Sequence, residues 1–260
     1  MQWLIEHMSA TDDNDTALLK TFADTGRTHL AIKQIPFTET LLGMEQLDPT
    51  QPALIYGSTQ IVEKVWKQYG GQVETFYDPA WFDPRNWVGK RPDLLNEDVF
   101  EITVAELRSK WVDKPTFVKS VTVKALNGMV LEPDKHDWDT WLIEHSELNG
   151  SDLLVLSPVH RIEREWRFFV VDGQVVTGST YRRDGYRAKM HPVSPAAWAA
   201  ADRAVKEWLP SKNIVIDIAR TWSGKYKVVE SNAISSSGFY SSNVPKLVDA
   251  LEAYALSVKA

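Results

Sequence analysis

The chain has 260 residues, 43% of them hydrophobic and 25% charged, and a formal net charge of −6. That length suits two compact lobes or one large domain, and it is ample for a core. The lack of Cys excludes disulfides, a thiolate nucleophile and Cys-ligated zinc, and the acidic balance gives no general pull towards nucleic acid, though it does not exclude a local basic patch.

Gln2-Trp-Leu-Ile-Glu6 lacks the basic flank of a signal sequence. No apolar run approaches the roughly 20 residues of a membrane span. A cytoplasmic protein without membrane partners is the expectation. Trp3–Ile5 and Ala31–Ile35 read as strands with a helical stretch over Thr16–Ala23 between them. Ala53–Tyr56 is a third short apolar run, followed by Gly57-Ser58 and a helix pattern through Ile61, Val62, Val65 and Trp66. Gly70-Gly71 should end that helix through the left-handed conformation that glycine adopts cheaply. Strand alternating with helix predicts a small parallel-sheet lobe. Residues 78–95 carry two of the chain's 11 Trp among Pro and Asp. They read as a long connection whose indoles pin it to the core.

From about residue 100 the pattern changes. Thr103 with Glu106 forms a capping box for a helix over Val104–Trp111. Thr116–Ser120 and Met129–Glu132 pair as strands around a loop ending in Asn127-Gly128, and a helix over Trp138–His145 follows. Asp152–Leu156 is a further strand. Trp166–Val171 with Gln174–Thr180, and Asn213–Ala219 with Lys225–Val229, read as hairpins around Asp172-Gly173 and Ser223-Gly224. Helices over Pro195–Leu209 and Pro245–Ser257 complete an α+β arrangement.

Three constellations carry chemistry. Asp217 and Glu230 sit on consecutive strands of one predicted hairpin in apolar surroundings, where an isolated carboxylate is costly. Asn232, two residues from Glu230, shares its face. Three oxygen donors suit a hard cation such as Mg²⁺; the alternative is that the two acids pair with Arg220, Lys225 or Lys227. Glu165 and Arg167 share a strand face, as a cross-strand salt bridge or as a ribose and phosphate contact. Lys119 and Lys124 flank a loop closed by Gly128, as phosphate ligands or as solvated turn residues. Arg161, Arg164, Arg182, Arg183, Arg187 and Lys189 form a local basic excess around and between the two carboxylate motifs.

The order of these motifs resembles the ATP-grasp superfamily. Tyr56-Gly-Ser, Leu94-Leu-Asn96, Glu165-Trp-Arg-Phe-Phe-Val-Val-Asp-Gly173 and Glu230-Ser-Asn-Ala-Ile-Ser-Ser-Ser-Gly-Phe-Tyr240 are similar more narrowly to its R-two-K clade, found in phages and bacteria. The resemblance spans roughly residues 50–243. It implies an ATP-grasp fold, two α+β subdomains clasping ATP, behind a small α/β N-terminal lobe. The expected division is 1–98 for that lobe and 99–260 for the ATP-grasp domain, with a central subdomain over about 99–155 and a C-terminal one over about 156–260. It implies a cytoplasmic (for a phage protein, host-cytoplasmic) ATP-dependent carboxylate–amine ligase using Mg²⁺ or Mn²⁺, with an acyl phosphate intermediate and ADP and phosphate as products. A kinase acting on a hydroxyl and a non-catalytic nucleotide-binding regulator are the rival readings. Lys119 and Lys124 would contact the phosphates, the backbone of Leu156 and Ser157 the adenine, and Glu165 the ribose. Asp217, Glu230 and Asn232 would hold the metal. Several family members have an Arg two residues before the metal-binding Asp; Val215 stands there in this chain, leaving Arg167, Arg182 or Arg220 for the transferred phosphate. No Ser-His nucleophile is required, so His160 and His191 are expected to be structural or solvent-facing. A peptide or protein terminus, an amino acid or a modified nucleobase would supply the carboxylate and amine, selected by the N-terminal lobe and the Ser235–Tyr240 loop.

Overall fold

The computed structural model describes residues 1–6, 13–122, 125–190 and 192–259. Lys124 and His191 lie outside the described residues.

The first five strands, β1 (Gln2–Glu6), β2 (Leu30–Gln34), β3 (Leu41–Leu42), β4 (Ala53–Tyr56) and β5 (Val73–Glu74), form one sheet in the order β3-β2-β1-β4-β5. β1 pairs in parallel with β2 and β4, and β4 with β5, while β3 runs antiparallel at the edge. Helices α1 (Asp13–Thr25) and α2 (Thr59–Tyr69) make the crossovers that parallel pairing requires. Ser58 caps α2 by accepting from the Ile61 amide. The helix ends at Gly70 as expected, but in the right-handed region at φ −59°, so the left-handed ending is corrected. A Cβ there would meet the Trp66 carbonyl oxygen at 2.5 Å, which is the reason for glycine.

The second sheet contains β6 (Phe100–Thr103), β7 (Thr116–Ser120), β8 (Met129–Leu131) and β9 (Leu153–Pro158) in the order β6-β9-β7-β8, all antiparallel. Helix α3 (Val104–Ser109) has the full capping box between Thr103 and Glu106, but stops two residues short of Trp111. Trp111 instead packs against Trp138 and Trp141 of α4 (Trp138–Glu144), tying both helices to the core of this sheet.

The third sheet orders β12-β11-β10-β13-β14, built from β10 (Ile162–Val171), β11 (Gln174–Arg183), β12 (Tyr186–Met190), β13 (Ile214–Thr221) and β14 (Tyr226–Asn232). β12 was not foreseen from the sequence; it returns through Asp184-Gly185, both at positive φ. Helix α5 (Pro195–Glu207) covers one face, its Ala197, Ala200, Ala201 and Ala204 forming a small-residue stripe against Trp166, Phe168, Ile216 and Ile218. On the other face Phe169, Val171 and Val215 pack under helix α6 (Val244–Lys259) and against Trp3 and Leu54 of the first sheet. The strands read as apolar runs because the sheet is covered on both sides. Along β10 that second face turns polar at Arg167 and Glu165, and there the cleft begins.

Among the described residues no helix is long and apolar enough to cross a membrane.

Candidate functional site

The cleft between the second and third sheets has a volume of about 1090 Å³. Lys119, Asn127 and Gly128 come from the second sheet and its loop; Glu165, Arg167, Tyr181, Arg182, Glu230 and Asn232 come from the third, with Tyr240 above. Gly128 is required where it stands: a Cβ would meet the Phe117 ring at 2.6 Å.

At its floor Asp217 lies opposite Arg167 on one side and Glu230 on the other. Arg167 donates through Nε and Nη2 to both oxygens of Asp217, at 2.9 and 2.8 Å. Lys119 reaches across from β7 to donate to Glu230 Oε2 at 2.8 Å. The Asn232 amide lies within 3.5 Å of Asp217 and 3.3 Å of Glu230. The alternative partners Arg220, Lys225 and Lys227 are therefore not the ones used. Arg220 pairs with Glu163 at 2.7 Å and lies outside the cleft, and Lys227 reaches Glu97 and the carbonyls of Pro92 and Leu94. Nor does Glu165 pair with Arg167: it accepts from Tyr181 Oη at 2.8 Å, and Arg182 stands at 3.8 Å.

Two β-bulges aim these groups. Opposite Glu165 and Trp166, β11 carries Tyr181 as an extra residue, so Tyr181 and Arg182 both reach towards Glu165. Opposite Asp217 and Ile218, β14 carries Val229 as an extra residue, and Val229 and Glu230 both line the cleft. Strict alternation hides Tyr181, which is why sequence reasoning missed it. Tyr240 was foreseen only as the end of the Ser235–Tyr240 loop. It stacks on Tyr181 at 5.3 Å, with Arg167 close to both rings. Its φ of 52° is uncommon for a non-glycine residue, an outlier of the kind that clusters at ligand sites.

Burial opposes the charge of Arg167, but Asp217 more than compensates and raises its pKa. Burial also pushes the Asp217 carboxyl up, against the pull of Arg167, and raises Glu165 despite the Tyr181 hydroxyl. Glu230 goes the other way. Desolvation is overcome by Lys119, Arg167 and Asn232, which hold its carboxyl at about 2.

Of the remaining expected residues, Leu156 and Ser157 lie inside β9, flanked by β6 and β7, and Val159–Ile162 form the adjoining cleft wall. His160 is exposed at that rim. Val215 is fully buried, and Arg167, in register with Asp217, brings the guanidinium to the acid that Val215 cannot. Leu95 and Asn96 line the cleft because Leu95 donates its amide to the Val228 carbonyl. Trp87 is buried and donates to the Trp81 carbonyl, so it anchors the 78–95 connection as expected.

Among the described residues no group of three or more His, Asp or Glu side chains converges. The candidate donors are the Asp217 and Glu230 carboxylates and Asn232, all hard ligands once the amide turns its oxygen inward; here Asn232 presents Nδ2 to both acids, and Arg167 and Lys119 balance their charge. That chemistry fits Mg²⁺, which keeps few protein ligands and takes the rest from phosphate and water.

A polar cleft between two antiparallel sheets, behind a small parallel one, defines a nucleotide-clasping class of protein. The sequence matches the ATP-grasp domain, R-two-K clade family 2, over residues 95–250, and the chain belongs to that family. Solved structures share the fold along nearly the whole chain. D-alanine–D-alanine ligase from Bacillus anthracis complexed with ATP is similar at 14% identity and a TM-score of 0.61, over 99% of this chain and 98% of that one. A RimK domain ATP-grasp protein from Sphaerobacter thermophilus gives 14% and 0.57, over 99% and 96%. The ATP-grasp ligase PsnB with minimal precursor, Mg and ADP gives 14% and 0.55, over 98% of both chains. No curated protein matches the sequence.

Proposed function

We propose that the chain is an ATP-dependent carboxylate–amine ligase acting through an acyl phosphate and releasing ADP and phosphate. The observation that carries this reading is the charge-balanced floor: Lys119, Arg167, Asp217, Glu230 and Asn232 converge between two sheets. A free carboxylate is a poor acylating agent because its oxygen leaves badly; phosphorylation converts that oxygen to phosphate. Mg²⁺ bound by Asp217, Glu230 and Asn232 would supply charge neutralisation to the transferring phosphoryl group. Lys119, released from Glu230, would hold phosphate oxygens. Arg167 stays anchored on Asp217 and stabilises charge from a fixed position. Tyr181 orients Glu165 towards a ribose hydroxyl, and the backbone of Val159–Arg161 would meet the base. Tyr240 and the Ser235–Tyr240 loop would border the carboxylate and amine. The ligases that share the fold, one solved with Mg and ADP, support the reading.

The test incubates the protein with ATP, Mg²⁺ and pooled carboxylates and amines, with mass detection of ligated product. ADP and phosphate are the expected nucleotide products, and EDTA should stop turnover. AMP as the main product overturns the assignment, and a phosphorylated product that forms without any amine favours a kinase.

A further inference from the structure

The basic excess noted in the sequence is only partly used by the cleft. Arg161 and Arg182 line it, whereas Arg164, Arg183 and Arg220 do not. The register shows where these three stand. Tyr186 on β12 pairs with Arg183 on β11, Arg183 with Arg164 on β10, Arg164 with Arg220 on β13, and Arg220 with Tyr226 on β14. One rung of the sheet thus reads Tyr-Arg-Arg-Arg-Tyr across all five strands. Directly opposed residues share a face. Arg164 lies two residues before Trp166, whose side chain packs in the α5-side core, so the rung is on the side opposite the cleft.

Like charges directly opposite one another destabilise a sheet. Two acids relieve the row in part, and Arg164 lies 5.9 Å over the Trp166 ring. Glu163, the extra residue of a bulge in β10, is bonded to Arg220. Asp184 stands 3.7 Å from Arg183. The buried Nε of Arg164 has no hydrogen-bond partner among the described residues. The rung is also open: Tyr186 is 79% exposed, and the Arg183 and Arg220 side chains are 55% and 40% exposed. At an interstrand spacing of about 4.8 Å, three guanidiniums span about 10 Å. That row suits an anion with repeated charges, and the exposed Tyr186 ring at one end fits a flat group beside them, whereas Tyr226 at the other end is stacked on Trp166.

We propose that this outer rung binds single-stranded nucleic acid, with Arg183, Arg164 and Arg220 on successive phosphates and Tyr186 stacked on a base. Stacking is sequence-tolerant, because every base presents a π-face. The surface stands apart from the cleft, so it does not depend on the ligase reading. In a chain of net charge −6 the attraction is confined to this patch, and it is steeply weakened by salt.

The test is fluorescence anisotropy with a labelled single-stranded oligonucleotide of about 12 nucleotides, in RNA and DNA versions, at rising salt. Three phosphate contacts predict a slope of log K against log salt of about −2, falling to about −0.7 in the Arg164→Glu/Arg183→Glu variant. Tyr186→Ala should weaken binding about five-fold or more, the value of one lost stacked base, and Tyr186→Phe should retain it. An unchanged melting temperature of the exposed Tyr186 and Arg183 single variants separates loss of binding from loss of fold. No binding at low salt overturns the proposal. So does equal competition by poly-glutamate or by a duplex, with Tyr186→Ala neutral, which would reassign the rung to acidic peptides or to polyanions at large.

Discussion

Two ion pairs meet at the floor of the cleft, and they differ in what they join. Arg167–Asp217 lies within one sheet: Asp217 is wholly buried, its forked partner is nearly so, and both belong to adjacent strands in register. Lys119–Glu230 bridges two sheets, with side chains 23% and 35% exposed. The inner pair is a fixture of the fold. The outer pair joins the two sheets and lines the cleft, so it stands where a ligand would enter. Geometry that looks similar in distance therefore serves rigidity in one case and access in the other.

The largest expected effect comes from breaking the inner pair. Arg167→Ala leaves a buried carboxylate uncompensated and should cost about 3–5 kcal/mol of stability, read from urea unfolding. Under the proposed mechanism it should also lower kcat by about 10²–10³. Arg167→Lys should recover little of either, since an ammonium cannot reproduce the bidentate fork. Near-normal turnover of Arg167→Ala would show that the guanidinium serves only to neutralise Asp217. Glu230→Gln should separate the two pairs: turnover is abolished, while stability falls by less than in Arg167→Ala because the pair is partly solvated.

Acid sharpens the contrast. The Glu230 carboxyl sits at about 2 in the fold against an ordinary 4.5. Its stabilising contribution is therefore complete above about pH 4.5 and is lost as pH falls towards 2. The Asp217 shift is upward, so protonation favours the folded form in that group and its contribution has the opposite sign. Urea midpoints between pH 5 and 2 should fall less steeply in Glu230→Gln than in the parent protein; identical slopes would contradict the depressed carboxyl. The smallest effect is expected of Arg182→Ala. Its side chain is half exposed and 3.8 Å from Glu165, so ATP affinity should weaken by no more than about five-fold, with kcat nearly unchanged in titrations of the variant.

The sequence was most legible where structure is local. The capping box at Thr103, the hairpin at Asp172-Gly173 and the placing of Asp217 and Glu230 on consecutive strands follow from spacing alone; the direct opposition of the two acids needs the bulge at Val229. Less legible were features that depend on an interruption of the period. Tyr181 is hidden by a bulge, and β12 alternates apolar and polar residues over only five positions, inside a stretch that reads first as a basic run. The choice among Arg167, Arg182 and Arg220 was closed to sequence reasoning, because Glu163 and Asp217 claim their arginines through tertiary pairing. Lys119 could be singled out, but its partner lies 111 residues away on another sheet.

The segment from Glu230 to Tyr240 leaves β14 and is at once fastened to the first sheet. Gly57 donates its amide to the Ser235 carbonyl at 2.9 Å, Ser235 Oγ bonds the Thr75 carbonyl, Tyr56 stacks on Phe239 at 4.7 Å, and Asn14 accepts from the Phe239 amide. The family match begins only at residue 95, so the preceding part is the natural piece to exchange between relatives. These bonds make that exchange indivisible. A chimera that imports a foreign N-terminal part while keeping the native 233–240 segment inherits mismatched mating surfaces a few residues from Glu230, whereas one that transplants both together preserves the joint. Diversification in such chains should accordingly proceed by paired replacement of two distant stretches.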